Sequence, residues 1–204
     1  MRRKVFDTLA SAGGALIVVV LVVAGALLMW GQSFASSSVH DQLAKQDIVF
    51  PSAAAFAHAK PGSEITPSMI PSVSQYAGQK LLTGAQAEVY ANDFIAVHLS
   101  EMPYHGVYAT ISSAARAATP GSPQAAKLSA LATTSFQGTT LRGLLLEAYA
   151  FSVFGDIALW AGVAAFALAF LMAISVALGI WHARRTDEDV EILAPQDVRK
   201  QQAA

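Results

Sequence analysis

The stretch WAGVAAFALAFLMAISVALGIW, residues 160–181, carries no charged side chain. As a helix rising about 1.5 Å per residue it covers about 30 Å, the thickness of a bilayer's hydrocarbon core. Trp160 and Trp181 stand at its ends, where amphipathic indoles favour the membrane–water boundary, and His182, Arg184 and Arg185 follow at once. A segment of this kind reads as a membrane span, and the rest of the chain must be arranged around it.

Composition agrees. With 54% hydrophobic and 13% charged residues among 204, and a mean hydropathy of +0.45, the chain is too apolar and too thinly charged for an ordinary soluble domain. A formal net charge of −1 offers no basic field, so nucleic acid is not an expected partner. The absence of cysteine excludes disulfides, thiolate metal sites and cysteine nucleophiles together.

A second apolar stretch, residues 10–30, again measures about 30 Å as a helix and ends on Trp30. Ser33-Phe34-Ala35 loosely resembles a signal-peptidase site, but a signal's apolar core typically runs only about 7–15 residues. The span is therefore expected to be retained. Arg2, Arg3 and Lys4 flank the first span and Arg184 and Arg185 the second; basic residues near span ends stay in the cytoplasm. The expected topology is a cytoplasmic N-terminus at 1–9, spans at 10–30 and 157–181, an extracytoplasmic domain at 31–156 and a cytoplasmic tail at 182–204.

Between the spans the signals are helical, with no sustained period-two pattern. Residues 36–46 are expected to continue the first helix upward. Four prolines (Pro51, Pro61, Pro67, Pro71) mark 51–72 as a loop with one short helix over 52–58. Thr83-Gly-Ala-Gln86 fits a capping box opening a helix that Pro103 stops near Glu101, with Ala87, Ala91, Phe94, Ile95 and His98 on one face. Residues 107–118 are expected to be helical. Ser122 and Pro123 start another helix, expected to reach about Phe136 and end at Gly138. Residues 139–155 should then rise as a stalk continuous with the second span. The fold class expected is all-α, two transmembrane helices bracketing a helical extracytoplasmic domain.

Three stretches, MRRKVFDTLASAGG at the start, TGAQAEVYANDFIAVHL in the middle and TLRGLLLEAYAF before the second span, together resemble a family of actinobacterial two-span membrane proteins of about this length. The likeness covers most of the chain up to about Arg185. Some members of that family carry a label as aromatic ring-opening dioxygenases. The resemblance implies a bacterial plasma-membrane protein and transfers no catalytic residue.

One constellation could hold a metal: His98, Glu101 and His105, since two histidines and a carboxylate ligate non-haem iron and some zinc sites. They share a helix face only if the helix runs through Pro103, which the proline ring opposes. No metal or other cofactor is therefore expected. No nucleophile elbow, phosphate loop or nucleotide fingerprint occurs, and the spans carry no ionisable group to line an ion path. Ala161, Ala165, Ala169, Ala173 and Ala177 form a ridge at four-residue spacing suited to close helix packing, against the first span, where Ala10 and Gly14 share the spacing, or against another protein. The tail carries an acidic run at Asp187, Glu188, Asp189 and Glu191, with Ile192-Leu193 a possible short docking motif.

The expectation is a non-enzymatic accessory or interaction subunit in the plasma membrane. Its partners would be the lipid bilayer and a membrane protein or a second copy of itself. A sensor needing a partner for output, and a membrane-anchored metalloenzyme, are the alternatives.

Overall fold

The computed structural model describes residues 3–185; Arg2, the acidic run at 187–191 and Ile192-Leu193 lie outside them. Among the described residues the chain is helical, without a strand, in the order α1 (Arg3–Gln46), α2 (Ala53–Ala57), α3 (Ile70–Val73), α4 (Gly84–Val89), α5 (Ala96–Glu101), α6 (Tyr108–Ala117) and α7 (Pro123–Arg185). It divides into two compact units. One holds the chain ends, Met1–Gln32 and Ile157–Ala204; the other is Ser33–Asp156.

In the first unit, α1 and α7 are both long and apolar enough to cross a membrane. Their most apolar 18-residue stretches are only 6% and 11% buried, so neither is the enclosed core helix of a soluble protein. Leu16, Val20, Leu27, Leu168, Phe170 and Leu178 are among the side chains left bare. Each forgoes about 1.5–3 kcal/mol if water covers it, and a handful already matches the 5–15 kcal/mol that stabilises a typical domain.

The two helices run antiparallel, with Ser11 beside Gly179, Gly14 beside Val176 and Gly25 beside Gly162. The less exposed residues recur at alternating three- and four-residue steps: Ser11, Gly14, Val18, Leu21, Gly25 and Leu28 on α1, and Gly162, Ala165, Ala169, Met172, Val176, Gly179 and Ala183 on α7. That 3.5-residue period is the seam of a left-handed coiled coil. Glycine is needed where the backbones meet. A Cβ on Gly14 would lie 2.7 Å from Val176 Cγ2, and one on Gly162 would lie 3.3 Å from the Gly25 carbonyl oxygen.

The second unit is built on a core in which Val39 and Leu43 of α1 and Leu145 of α7 meet Phe50, Phe56, Ile65, Met69, Val73, Leu81, Ala87, Ala91 and Ile95. Ile48–Pro51 and 78–81 pair antiparallel through Leu81 N–H to Ile48 O and Phe50 N–H to Gln79 O, both 2.9 Å, around a single bridge at Val49 and Lys80. Beside it Lys80 Nζ donates to Asp47 Oδ1 at 2.7 Å; that hydrogen bond, and then the lysine's charge, hold the Asp47 carboxyl below its ordinary value. Phe50 is fixed between Tyr76 and Tyr90, with ring centroids 5.2 and 5.3 Å away.

Local chemistry sets the helix starts. Thr83 Oγ1 accepts from Gln86 N–H at 3.2 Å while Gln86 Oε1 accepts from Thr83 N–H at 3.1 Å, the reciprocal capping box. Ser122 Oγ accepts from Ala125 N–H at 3.1 Å, with Pro123 in the first position of α7. Ser52 caps the short α2 in the same way.

Three expectations need correction. Gly138 does not end a helix: α7 runs on from Pro123 to Arg185 without a break. Leu99 packs where a side chain on residue 138 would stand, so the glycine serves a close approach and not a stop. The proline-rich loop also holds 3₁₀ turns at Pro67–Met69 and Ser74–Tyr76 on either side of α3, with Met69 and Val73 anchoring them in the core. The helix from Gly84 to Glu101 is not uniformly α: Tyr90–Ile95 is a π turn.

Candidate functional site

The π turn is the first irregularity to account for, because a π segment inside an α-helix commonly marks a functional position. It carries Tyr90, Asn92 and Phe94. Arg142 of α7 donates from Nη2 to Asn92 Oδ1 at 2.8 Å, while its Nε is buried with no hydrogen-bond partner. Tyr90 lies edge-on to Phe50 and stacks on Phe94, whose ring centroid is 4.7 Å away. Burial, and secondarily the charge of Glu64, push the Tyr90 phenol above its ordinary value.

His98 ends this aromatic row. Its Nδ1 lies 2.8 Å from Phe94 O and its ring stands edge-on to Phe94 at 4.6 Å, so the imidazole has local partners along its own helix. Glu101 is exposed at the last position of α5, and Met102 then turns to extended backbone (φ −68°, ψ 153°). His105 follows in a 3₁₀ turn, Pro103–Gly106, exposed and left-handed at φ 52°. Three residues spaced along one helix face would converge, but here the face is broken between the second and the third. Among the described residues no three His, Cys, Asp or Glu side chains are grouped so as to hold a metal ion.

That broken turn has its own character. Tyr104 (φ 58°) and His105 (φ 52°) are consecutive non-glycine residues in left-handed conformation, each costing about 1–2 kcal/mol. Gly106 (φ 65°) completes the run, packed so closely on Leu99 that a side chain would meet the Leu99 carbonyl. Ser135, fully buried, holds it by donating Oγ–H to Gly106 O at 2.5 Å. Around the turn Tyr104, Val107, Tyr108 and Phe136 are exposed, and the rings of Tyr108 and Phe136 touch at 5.6 Å between centroids. The turn is thus strained, clamped by a buried hydrogen bond and set in an exposed apolar patch. Only the glycine and proline around it hinted at this in the sequence; the hydroxyl that holds it comes from a residue 29 positions away.

The alanine ridge is divided by the seam. Ala165 and Ala169 are 8% and 3% exposed, whereas Ala161, Ala173 and Ala177 are exposed, as is Ala10. A four-residue repeat drifts around a helix, and only a 3.5-residue repeat stays facing a coiled partner. Gly162, Met172, Val176, Gly179 and Ala183 take the places the ridge would have held.

Comparison of the chain with models of protein families, with curated proteins and with solved structures finds no match.

Proposed function

We propose that this chain is a two-span plasma-membrane protein of the actinobacterial family it resembles, acting without catalysis as an accessory or interaction subunit of an envelope or membrane complex. One observation carries the reading: apolar surface that the other described residues leave uncovered. In the unit of the chain ends that surface is the whole lipid-ward circumference of α1 and α7, and lipid is the cover that removes its cost. In the helical unit it is the clamped patch of Tyr104, Val107, Tyr108 and Phe136, for which a protein partner is the fitting cover.

Orientation follows from the basic flanks. With Lys4 and Arg184 on the cytoplasmic side, both termini point inward and residues 31–156 lie outside. Because the chain has no cysteine, single-cysteine variants report this cleanly. Exposed Ala54 and Ala117, replaced by cysteine, should react with an impermeant maleimide in intact cells, and Gln201→Cys should react only after lysis. Reaction at residue 201 in intact cells overturns the orientation. A cross-linker placed at Tyr108 should capture a stoichiometric membrane partner or a second copy after gentle detergent extraction; a chain that remains monomeric and alone overturns the interaction role.

A further inference from the structure

We propose that the cleft at the terminal end of the α1–α7 pair is a binding site for an anionic phospholipid, which it holds by the headgroup phosphate and the upper acyl chain. The cleft, about 370 Å³, lies wholly within the unit of the chain ends. Its lining changes character along its length. Lys4 of α1 and Arg184 of α7 bring one cation from each helix to the outer end. Thr8 and Ser11 follow, then Ala12, Ala15 and Ile180. From residue 4 to residue 15 is about 16 Å along a helix, enough to pass from a headgroup into the acyl region.

The gradient selects the ligand. A soluble anion would use the two cations and leave the alanine-lined floor empty; an alkyl chain alone would use the floor and gain nothing from the cations. A phospholipid with net negative charge uses both, and basic clefts between spanning helices on the cytoplasmic side are where such headgroups bind. The small side chains at Ala12 and Ala15 keep the groove open. Thr8 Oγ1 already donates to Lys4 O at 2.8 Å, which leaves the hydroxyl's lone pairs turned from the phosphate's need and assigns recognition to the cations. Asp7 does not line this cleft; it lines the neighbouring cavity in the seam with Ser11, Gly14 and Ser175. Arg185 is a neighbouring cation outside the cleft, stacked 4.1 Å over the Trp181 ring.

The inference rests on the membrane reading, so its test separates the two. Full-length protein in neutral detergent, examined by native mass spectrometry, should retain phosphatidylglycerol in preference to phosphatidylcholine of the same acyl chains. Arg184→Gln should weaken that retention roughly fivefold, the effect of about 1 kcal/mol for one juxtamembrane cation. Ala15→Trp, or Ala12→Phe if the former does not fold, should abolish it with every charge in place, and Arg185→Gln should leave it unchanged. Equal retention of the two lipids, an equal loss in Arg185→Gln, or displacement of the lipid by millimolar inorganic phosphate overturns the site. Failure of the wild-type chain to float with pure phosphatidylcholine vesicles overturns the membrane reading beneath it; flotation without lipid preference overturns this proposal alone.

Discussion

The Ser135 hydroxyl and the Gly106 carbonyl, 2.5 Å apart and both buried, join α7 to the turn that separates α5 from α6. The bond satisfies an acceptor that the left-handed turn would otherwise strand, since no helix or sheet partner is available to it.

Ser135→Ala should therefore destabilise the helical unit by about 1–3 kcal/mol, the range for leaving a buried acceptor unpaired. Ser113→Ala, at an exposed position of α6, should stay within about 0.5 kcal/mol. Denaturant unfolding followed by far-ultraviolet circular dichroism measures both. Equal effects would mean that the clamp contributes nothing.

His105→Gly should stabilise the protein, by up to about 1 kcal/mol, because relief of a left-handed histidine exceeds the added flexibility of glycine. His98→Gly should do the opposite, costing about 1 kcal/mol in helix propensity together with its contact to Phe94. Elemental analysis should give the same result for the wild type and both variants. A metal near one per chain that disappears in both would restore the histidine–carboxylate site.

Ala169→Leu should disrupt the α1–α7 seam by about 1–3 kcal/mol through overpacking, whereas Ala167→Leu, exposed on the same helix, should not. Ala173→Leu is the informative third variant. It belongs to the four-residue ridge but lies outside the seam, so within the isolated chain it should behave like Ala167→Leu. If it instead breaks a cross-linked oligomer, the ridge serves a second partner. Thermal stability and disulfide cross-linking from introduced cysteines read the two outcomes separately.

Tyr90 makes stability depend on pH in the alkaline range. Its phenol is raised in the folded state, so the folded protein holds this proton more tightly than the unfolded chain does. The contribution is fully present below the unfolded value of about 10 and is lost as pH rises through the raised value. Tyr90→Phe should remove that slope. The difference between wild type and variant from pH 9 to 11 isolates this residue from the other alkaline groups, and parallel curves would contradict the assignment.

Much of the helical framework is legible locally because its signals are local. Thr83 with Gln86, and Ser122 with Pro123, satisfy first-turn amides through residues three apart, and charge-free runs of spanning length need no tertiary context. What escaped depended on partners distant in sequence. Gly138 resembles a terminator until Leu99 is seen filling the space beside it. The π turn has no periodic signature of its own and shows only as Tyr90–Ile95 between α4 and α5. The heptad seam was obscured by an alanine-rich span, in which a four-residue repeat is easily drawn; Gly14, Gly25, Gly162 and Gly179 were the better guide, and their meaning required both helices at once. The strain at Tyr104 and His105 was hinted at only by Pro103 and Gly106 around them, because the Ser135 hydroxyl that holds the turn lies 29 positions away.

The glycines of the seam also act as detents. Val176 is seated at Gly14, and Met29 at Gly162, like teeth in notches. Sliding α7 by one heptad along α1 would carry Val176 out of its notch to the level of Leu21 or of Asp7, setting branched side chain against branched side chain or an apolar tooth against a carboxylate. Sliding by a single residue would misalign every tooth. The pair thus has one seating, and a piston stroke of one helix along the other is obstructed from the first step. Any message this protein carries across a membrane would have to pass by tilting, by separating the helices or by recruiting a third.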